Sequence, residues 1–252
     1  MIFDSHAHYD ASAFDGDRDE LLASLPERGV CGIINAASDL PSSRTGIELA
    51  QRYPFIWAAV GLHPEEAAHA PLDQLEEFRR LYAHPRVVAI GEIGLDYHYE
   101  DACPRAVQQD WFRRQLELAV QLHAPVIVHD REAHQDVLSA LQTYRPAGVV
   151  HCFSGSVDMM REVVGLGMYI GLGGAVTFKN ARRPVEVAAA VPLDRLLLET
   201  DAPYMAPVPF RGKRCDSSLI AHTAARIAEI RGMAAADLLA AAEQNARRLF
   251  SL

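Results

Sequence analysis

The sequence predicts an α/β protein, a (β/α)8 TIM barrel formed as a single domain over residues 1–252. Three observations predict it. Short apolar runs alternate with longer segments of helical periodicity along the whole chain. The runs are continuous and rich in aliphatic and β-branched residues, as strands buried on both faces are. Eight such runs fit into the chain with no linker-like or low-complexity tract between them. A doubly wound open sheet is the rival, but its usual strand count is lower. No G-x-G-x-x-G or Walker-type glycine loop opens a helix, which removes the usual nucleotide-loop reading.

The elements follow in order. Met1-Ile2-Phe3 begins the first strand, and Asp17 to Arg28, with Leu21, Leu22 and Leu25, reads as a helix. Cys31–Ile34 and Phe55–Val60 are the second and third strands, with no helix assigned between them. Leu72 to Tyr82 carries Leu75, Phe78 and Leu81 at helical spacing and leads to the fourth strand, Val87–Ile90. The helix from Pro104 to Leu122 starts with proline, whose missing N–H costs nothing in a first turn. Its apolar stripe is Val107, Trp111, Leu118 and Leu122. Strands at Val126–Val128, Gly148–Val150, Met168–Ile170 and Leu196–Leu198 alternate with helices at Arg131–Tyr144, Val157–Leu166 and Ala181–Val191. Two helical segments, Ser217 to Arg231 and Ala234 to Phe250, close the chain.

Half of the residues are hydrophobic, enough for a large core. There are 24 Lys and Arg against 33 Asp and Glu, a formal net charge of −9. A protein that merely coats nucleic acid is normally basic, so a polyanion would have to meet a local basic patch or bound cations here. Cys31, Cys103, Cys152 and Cys215 lie far apart with no C-x-x-C, which fits free thiols in a reducing compartment. No basic segment followed by an apolar run is visible at the start, and the longest apolar runs are strand-sized. A cytoplasmic protein without a membrane span is expected. With no heptad repeat and no exposed apolar helix, a monomer is expected.

In this fold catalytic residues lie at the C-terminal ends of the strands. His6 and His8 follow the first run; residues two apart on a strand share a face, so two imidazoles would aim at one point. The third strand ends in Gly61-Leu-His63-Pro64, the fourth in Gly91-Glu92-Ile-Gly-Leu-Asp96 and the fifth in His129-Asp130. The sixth ends in His151-Cys-Phe-Ser-Gly155 and the eighth in Glu199-Thr200-Asp201. Five of the 11 histidines therefore fall on one rim. The other six, His69, His84, His98, His123, His134 and His222, read as surface or helix-end residues.

Imidazole with carboxylate suits Zn²⁺ and Mn²⁺, and carboxylate also suits Mg²⁺. Six such ligands exceed the needs of one tetrahedral ion. Two ions sharing a bridging carboxylate would use them all, and Glu92, midway in the strand order, is the natural bridge. Each residue has a plainer alternative: a hydrogen-bonded strand pair for His6 and His8, a salt-bridged carboxylate for Glu92, an N-cap for Asp201, a turn cap for His63. Convergence of all of them on one rim favours the metal site. Arg211, Lys213 and Arg214, with Lys179, Arg182 and Arg183, form two basic clusters after strands seven and eight, where this fold frequently holds phosphate. A solvated basic surface is the alternative.

The segments Asp4-Ser-His6-Ala-His8, Gly61–Pro64, Gly91–Asp96, His151–Gly155, Leu198-Glu-Thr-Asp-Ala-Pro203 and Arg211-Gly-Lys-Arg214, collinear through Asn245–Phe250, resemble the TatD family of metal-dependent deoxyribonucleases. The resemblance implies a barrel of the metal-dependent hydrolase superfamily with two divalent ions (Zn, Mn or Mg). His6, His8, Glu92 and Asp201 would hold the first ion, and Glu92, His129 and His151 the second. His63 would lie at the substrate phosphate. The implied substrate is DNA, single-stranded or at 3′ ends, cut as a 3′ to 5′ exonuclease would. Asp201 would be the general base for the attacking water, and His63 would donate to the phosphoryl oxygens. Arg211, Lys213 and Arg214 would contact substrate. A metal-dependent ester or amide hydrolase, such as a D-aminoacyl-tRNA deacylase, is the alternative enzyme; many barrel relatives of that kind bridge their ions with a modified lysine where Glu92 stands. A binding protein that has lost catalysis would be expected to have lost a ligand too. The chain departs from the family pattern after Arg214: Cys215-Asp216-Ser217 stands where Asn-Glu-Pro is expected.

Overall fold

The computed structural model describes residues 1–98 and 103–252. Eight strands form one sheet in the order of the chain: β1 (Ile2–Ala7), β2 (Val30–Ala36), β3 (Ile56–Val60), β4 (Val87–Asp96), β5 (Val126–Arg131), β6 (Gly148–Val150), β7 (Tyr169–Leu172) and β8 (Leu196–Leu198). Each pairs in parallel with the next. Helices separate them: α1 (Arg18–Ser24), α2 (Leu40–Arg52), α3 (Gln74–Tyr82), α4 (Arg105–Leu122), α5 (His134–Tyr144), α6 (Val157–Gly165) and α7 (Arg182–Ala190), followed by α8 (Ile220–Arg231) and α9 (Ala235–Phe250). The ends of the sheet meet. Ser5 Oγ donates to the Leu198 carbonyl at 3.0 Å, and Ala7 and Ala202 form a parallel bridge. This is a nearly closed TIM barrel in one domain.

Every strand sends at least one apolar side chain into a shared inner cluster: Phe3, Ile34, Ala59, Ala89, Ile127, Val149, Tyr169 and Leu197 are among them. Ala246 and Phe250 of α9 join this cluster and close the barrel floor. Strand side chains repeat on one face every two residues. Two positions beyond Ile127, Val149 and Leu197 come His129, His151 and Glu199. The inner face thus turns from an apolar plug to a polar mouth within one repeat. The opposite faces, including Ile33, Ile56, Ile90, Val126, Val150 and Leu196, pack with helix residues such as Leu22, Phe78, Phe112, Val137, Val163 and Leu238. Fully burying one such side chain is worth about 1.5–3 kcal/mol.

The helix α2 is the element that the sequence pattern does not announce. Ser42, Ser43 and Gly46 lower its intrinsic propensity. A capping box offsets this: Asp39 Oδ1 accepts from Ser42 N at 2.8 Å, and Ser42 Oγ accepts from Asp39 N at 2.8 Å. The helix expected over Asp17 to Arg28 is shorter, because Pro26 lacks the N–H that would continue it. A separate 3₁₀ turn, Pro26–Arg28, follows. β1 and β4 run on past their apolar segments to Ala7 and Asp96, since their upper residues are buried yet polar. Arg131 belongs to β5 and not to the helix after it. All four cysteines are free. Among the described residues, no helix is long and apolar enough to cross a membrane.

Candidate metal centre

Glu92, near the upper end of β4 and only 3% exposed, stands at the centre of the barrel mouth. Its two oxygens face different partners. Oε2 lies 3.2 Å from His6 Nε2 and 3.5 Å from His8 Nε2. Oε1 lies 2.7 Å from both His129 Nδ1 and His151 Nε2, and 3.6 Å from His63 Nε2. Asp201 Oδ1 stands 3.6 Å from His6 Nε2 and 3.3 Å from His8 Nε2. The nitrogens also approach each other, at 3.0 Å for His6 and His8 and 3.3 Å for His129 and His151. Three overlapping groups of donors that could hold an ion result: His6, Glu92 and His151; His6, His8 and Asp201; His63, Glu92 and His129. These separations bracket the edges of a coordination shell, about 3.0–3.4 Å when the bonds are about 2.1 Å. The donor set therefore fits divalent metal.

The seam of the barrel positions His6, His8 and Asp201. His8 lies just past the end of β1, where its N–H donates to the Ala202 carbonyl at 2.7 Å. Asp201 N–H donates to the His6 carbonyl at 3.0 Å. Asp201 has φ +62°, the left-handed region that aspartate tolerates better than most residues. His63 does two things at once. Its Nδ1 accepts from Glu65 N at 3.3 Å, capping a turn, and its Nε2 faces Glu92 with the ring edge-on to His129.

Outer partners set the ring orientations, as they do around most metal-ligating histidines. His8 Nδ1 donates to the Ala36 carbonyl at 2.9 Å, leaving Nε2 to face the cluster. His129 Nε2 is 3.1 Å from Asp96 Oδ2, leaving Nδ1 to face it. Asp96 is held in turn by Gln108, whose Oε1 accepts from Asp96 N at 2.8 Å. Glu199 is fully buried beneath the mouth. Its Oε1 accepts from Cys152 N and lies 3.8 Å from His151 Nδ1, while Oε2 has no hydrogen-bond partner among the described residues. Gly171 makes room for it, since a Cβ there would collide with the Glu199 carboxyl. Asp4, also fully buried, accepts from His6 N, Thr200 N, Thr200 Oγ1 at 2.6 Å and Ser217 Oγ at 2.7 Å.

Electrostatics follow from this packing. Burial pulls the His8 ring down, but the hydrogen bond to Asp201 and the charges of Glu92 and Asp201 outweigh it and push it up to about 9. Burial likewise opposes the charged form of His129, yet its bonds to Asp96 and Glu92 raise it to about 10. His6 and His63 go the other way. Burial, with the charges of His151 and His129 respectively, lowers them to about 4 and about 3. Burial would raise Glu92, but His151, His6, His63 and His129 hold it well below the usual carboxylate range. Asp201 is also lowered, against its burial, chiefly by His8. Glu199, with fewer compensating partners, is raised by burial to about 8. Opposed shifts packed into one cleft mark a functional site.

All six residues expected to hold metal converge here, and His63 joins them. The basic residues divide. Arg214 spends its guanidinium on Asp17, at 2.7 and 2.6 Å, and on the Ala13 carbonyl at 2.9 Å, over the ring of Phe14. Arg182 pairs with Glu186 at 2.9 Å. Arg211 lies over the Phe178 ring, and Lys213, Lys179 and Arg183 are exposed. The unusual Cys215-Asp216-Ser217 is structural. Cys215 N donates to the Pro203 carbonyl, Asp216 accepts from Ser218 N and Arg28 Nη2, and Ser217 Oγ joins Asp4 and Tyr9. Asp4, Asp96 and Glu199 received no role from the sequence. Their even spacing from His6, Glu92 and Asp201 is the signal that could have found them.

A parallel barrel whose mouth gathers five histidines and Asp201 around the carboxylate of Glu92 defines a metal-dependent hydrolase. The profile of the family described as TatD related DNase matches residues 3–251, and the chain belongs to that family. It is 40% identical over 255 residues to the uncharacterised metal-dependent hydrolase YabD of Bacillus subtilis (strain 168), covering 100% of each chain. It is 36% identical over 261 residues to the 3′-5′ ssDNA/RNA exonuclease TatD of Citrobacter rodentium, covering 100% of this chain and 98% of that one. The crystal structure of YjjV, a TatD homologue from Escherichia coli K12, matches with a TM-score of 0.92 at 35% identity, covering 100% of this chain and 98% of that one.

Proposed function

We propose that this hydrolase is a monomeric, cytoplasmic 3′ to 5′ exonuclease that cuts single-stranded DNA with two divalent ions, Zn, Mn or Mg. One observation carries the reading: the two oxygens of Glu92 face two separate sets of ring nitrogens. His6, His8, Glu92 and Asp201 would hold one ion, and Glu92, His129 and His151 the other. When bound, such ions neutralise phosphate oxygens and acidify a water molecule near neutral pH. The name of the Citrobacter rodentium relative supports the substrate class and the polarity.

The residues of the chain supply the rest. Asp201, its carboxylate held ionised by His8, would take the proton of the attacking water. His63 reaches the site with Nε2 while its Nδ1 is fixed by the turn, so it is oriented towards a phosphoryl oxygen. Once His129 and His8 are deprotonated, Asp96 and the Ala36 carbonyl would keep them in the tautomers that offer a lone pair. Arg211 and Lys213, exposed on the stretch after β8, offer charge to the substrate backbone.

The test uses single-stranded oligonucleotides labelled at either end, with and without chelator. Shortening from the 3′ end that chelator stops and Mn²⁺ or Mg²⁺ restores is the expected result. Glu92→Ala should abolish cutting while the variant stays folded. Full activity of that variant would remove the bridge. Release of an amino acid from an aminoacyl-tRNA analogue, without any oligonucleotide cleavage, would favour an ester hydrolase instead.

A further inference from the structure

The stretch after β8 begins at Asp201 and reaches Tyr204 three residues later. Tyr204 is 60% exposed, one of five exposed large apolar side chains among the described residues. It is also the one whose ring meets the metal centre. Its centroid lies 6.5 Å from that of His8, at 61° between planes. No side-chain hydrogen bond occupies its hydroxyl among the described residues. An aromatic ring left bare beside a polar, ion-binding mouth gains nothing from burial.

The ring stands on a braced support. Tyr204 N–H donates to the Asp201 carbonyl at 2.8 Å, and Cys215 N–H donates to the Pro203 carbonyl at 2.9 Å. Val208 N donates to Thr177 Oγ1 at 2.9 Å, tying this stretch to the turn after β7. Arg214 pins its far end to Asp17. Tyr204 is therefore presented in advance of binding and does not have to be ordered by it. Further along the same stretch, Arg211 and Lys213 are exposed and positively charged. Positive charge together with a stacking ring is how proteins grip single-stranded nucleic acid without reading its sequence.

We propose that Tyr204 is a nucleobase-stacking platform for one of the two bases that flank the attacked phosphate. This rests on the nucleic-acid reading of the same site. The platform makes the substrate an unstacked, single-stranded end, because a base inside a duplex has no free face to offer. It acts through the ring and not the hydroxyl, so phenylalanine should replace it.

The experiment compares wild type, Tyr204→Ala and Tyr204→Phe, each loaded with Mn²⁺. The substrates are a single-stranded oligonucleotide and two copies of it, with an abasic residue at the 3′ terminus or one place inside it. One stacked base is worth a change of roughly 5- to 100-fold. Wild type should lose that factor in kcat/KM at one of the two abasic positions. Tyr204→Ala should lose it on the intact strand and show no further loss on that abasic copy, while binding metal normally. Tyr204→Phe should behave as wild type. The proposal is overturned if Tyr204→Ala cuts the intact strand at the wild-type rate, or if it is slowed equally on all three strands. A metal-loaded wild type that cuts no oligonucleotide would remove the nucleic-acid reading and this platform together; cutting unaffected by Tyr204→Ala removes the platform alone.

Discussion

Asp96 Oδ2 lies 3.1 Å from Nε2 of His129, on the side of the ring away from Glu92. The pair is a carboxylate–imidazole relay of orientation: Asp96 fixes which nitrogen carries the proton and which faces the ion site. Asp96→Ala should weaken binding of divalent metal by about 10- to 100-fold with the barrel still folded. Titration with a competing chelator dye reads this directly. Unchanged affinity would mean that His129 needs no such partner.

Metal uptake should release protons. In the metal-free protein His8 and His129, raised to about 9 and about 10, are protonated at pH 7. Ion binding needs their lone pairs, so each must lose its proton. Affinity should therefore rise with pH from 7 to about 10 and level off above it. Calorimetry at pH 7 in two buffers of different ionisation enthalpy should show net proton release, shrinking above pH 10. Equal apparent enthalpies in the two buffers would contradict this.

Asp4 ties together β1, the Thr200 segment and the turn at Ser217. Asp4→Ala would leave several buried donors without an acceptor, each worth about 1–3 kcal/mol. A stability loss of about 3 kcal/mol or more in urea is expected. Asp4→Asn, which keeps one carbonyl acceptor, should lose less. Equal losses would show that shape matters there more than hydrogen bonding.

The basic residues after β8 should separate by role. Lys213→Ala and Arg211→Ala should each weaken oligonucleotide binding and lower the steepness of its salt dependence by about one unit or less. Arg214→Ala should act through the position of its loop, because its guanidinium is held by Asp17. Asp17→Ala should then reproduce the Arg214→Ala defect. A Asp17→Ala protein with normal binding would show that Arg214 contacts substrate itself.

Most of the fold is legible in the sequence because the strands are buried on both faces and advertise themselves as apolar runs. The strand ends are legible because five histidines recur at them. What stays hidden has physical causes. α2 is held by a capping box rather than by residues of high propensity. The upper halves of β1 and β4 are buried but polar, so hydrophobicity stops short of where the strands stop. Arg211 and Arg214 look equivalent in sequence, yet only Arg214 finds a bidentate carboxylate, from Asp17 on a distant loop. Tyr204 is one aromatic among many until its exposure beside His8 distinguishes it.

The proposed two-ion centre is tested most directly by measuring bound metal and cutting of single-stranded DNA in one preparation, before and after chelation. Up to two ions per chain, lost together with 3′ to 5′ cleavage and restored together with it, is the result predicted by the two-faced Glu92. Cleavage that persists in protein freed of metal would contradict it.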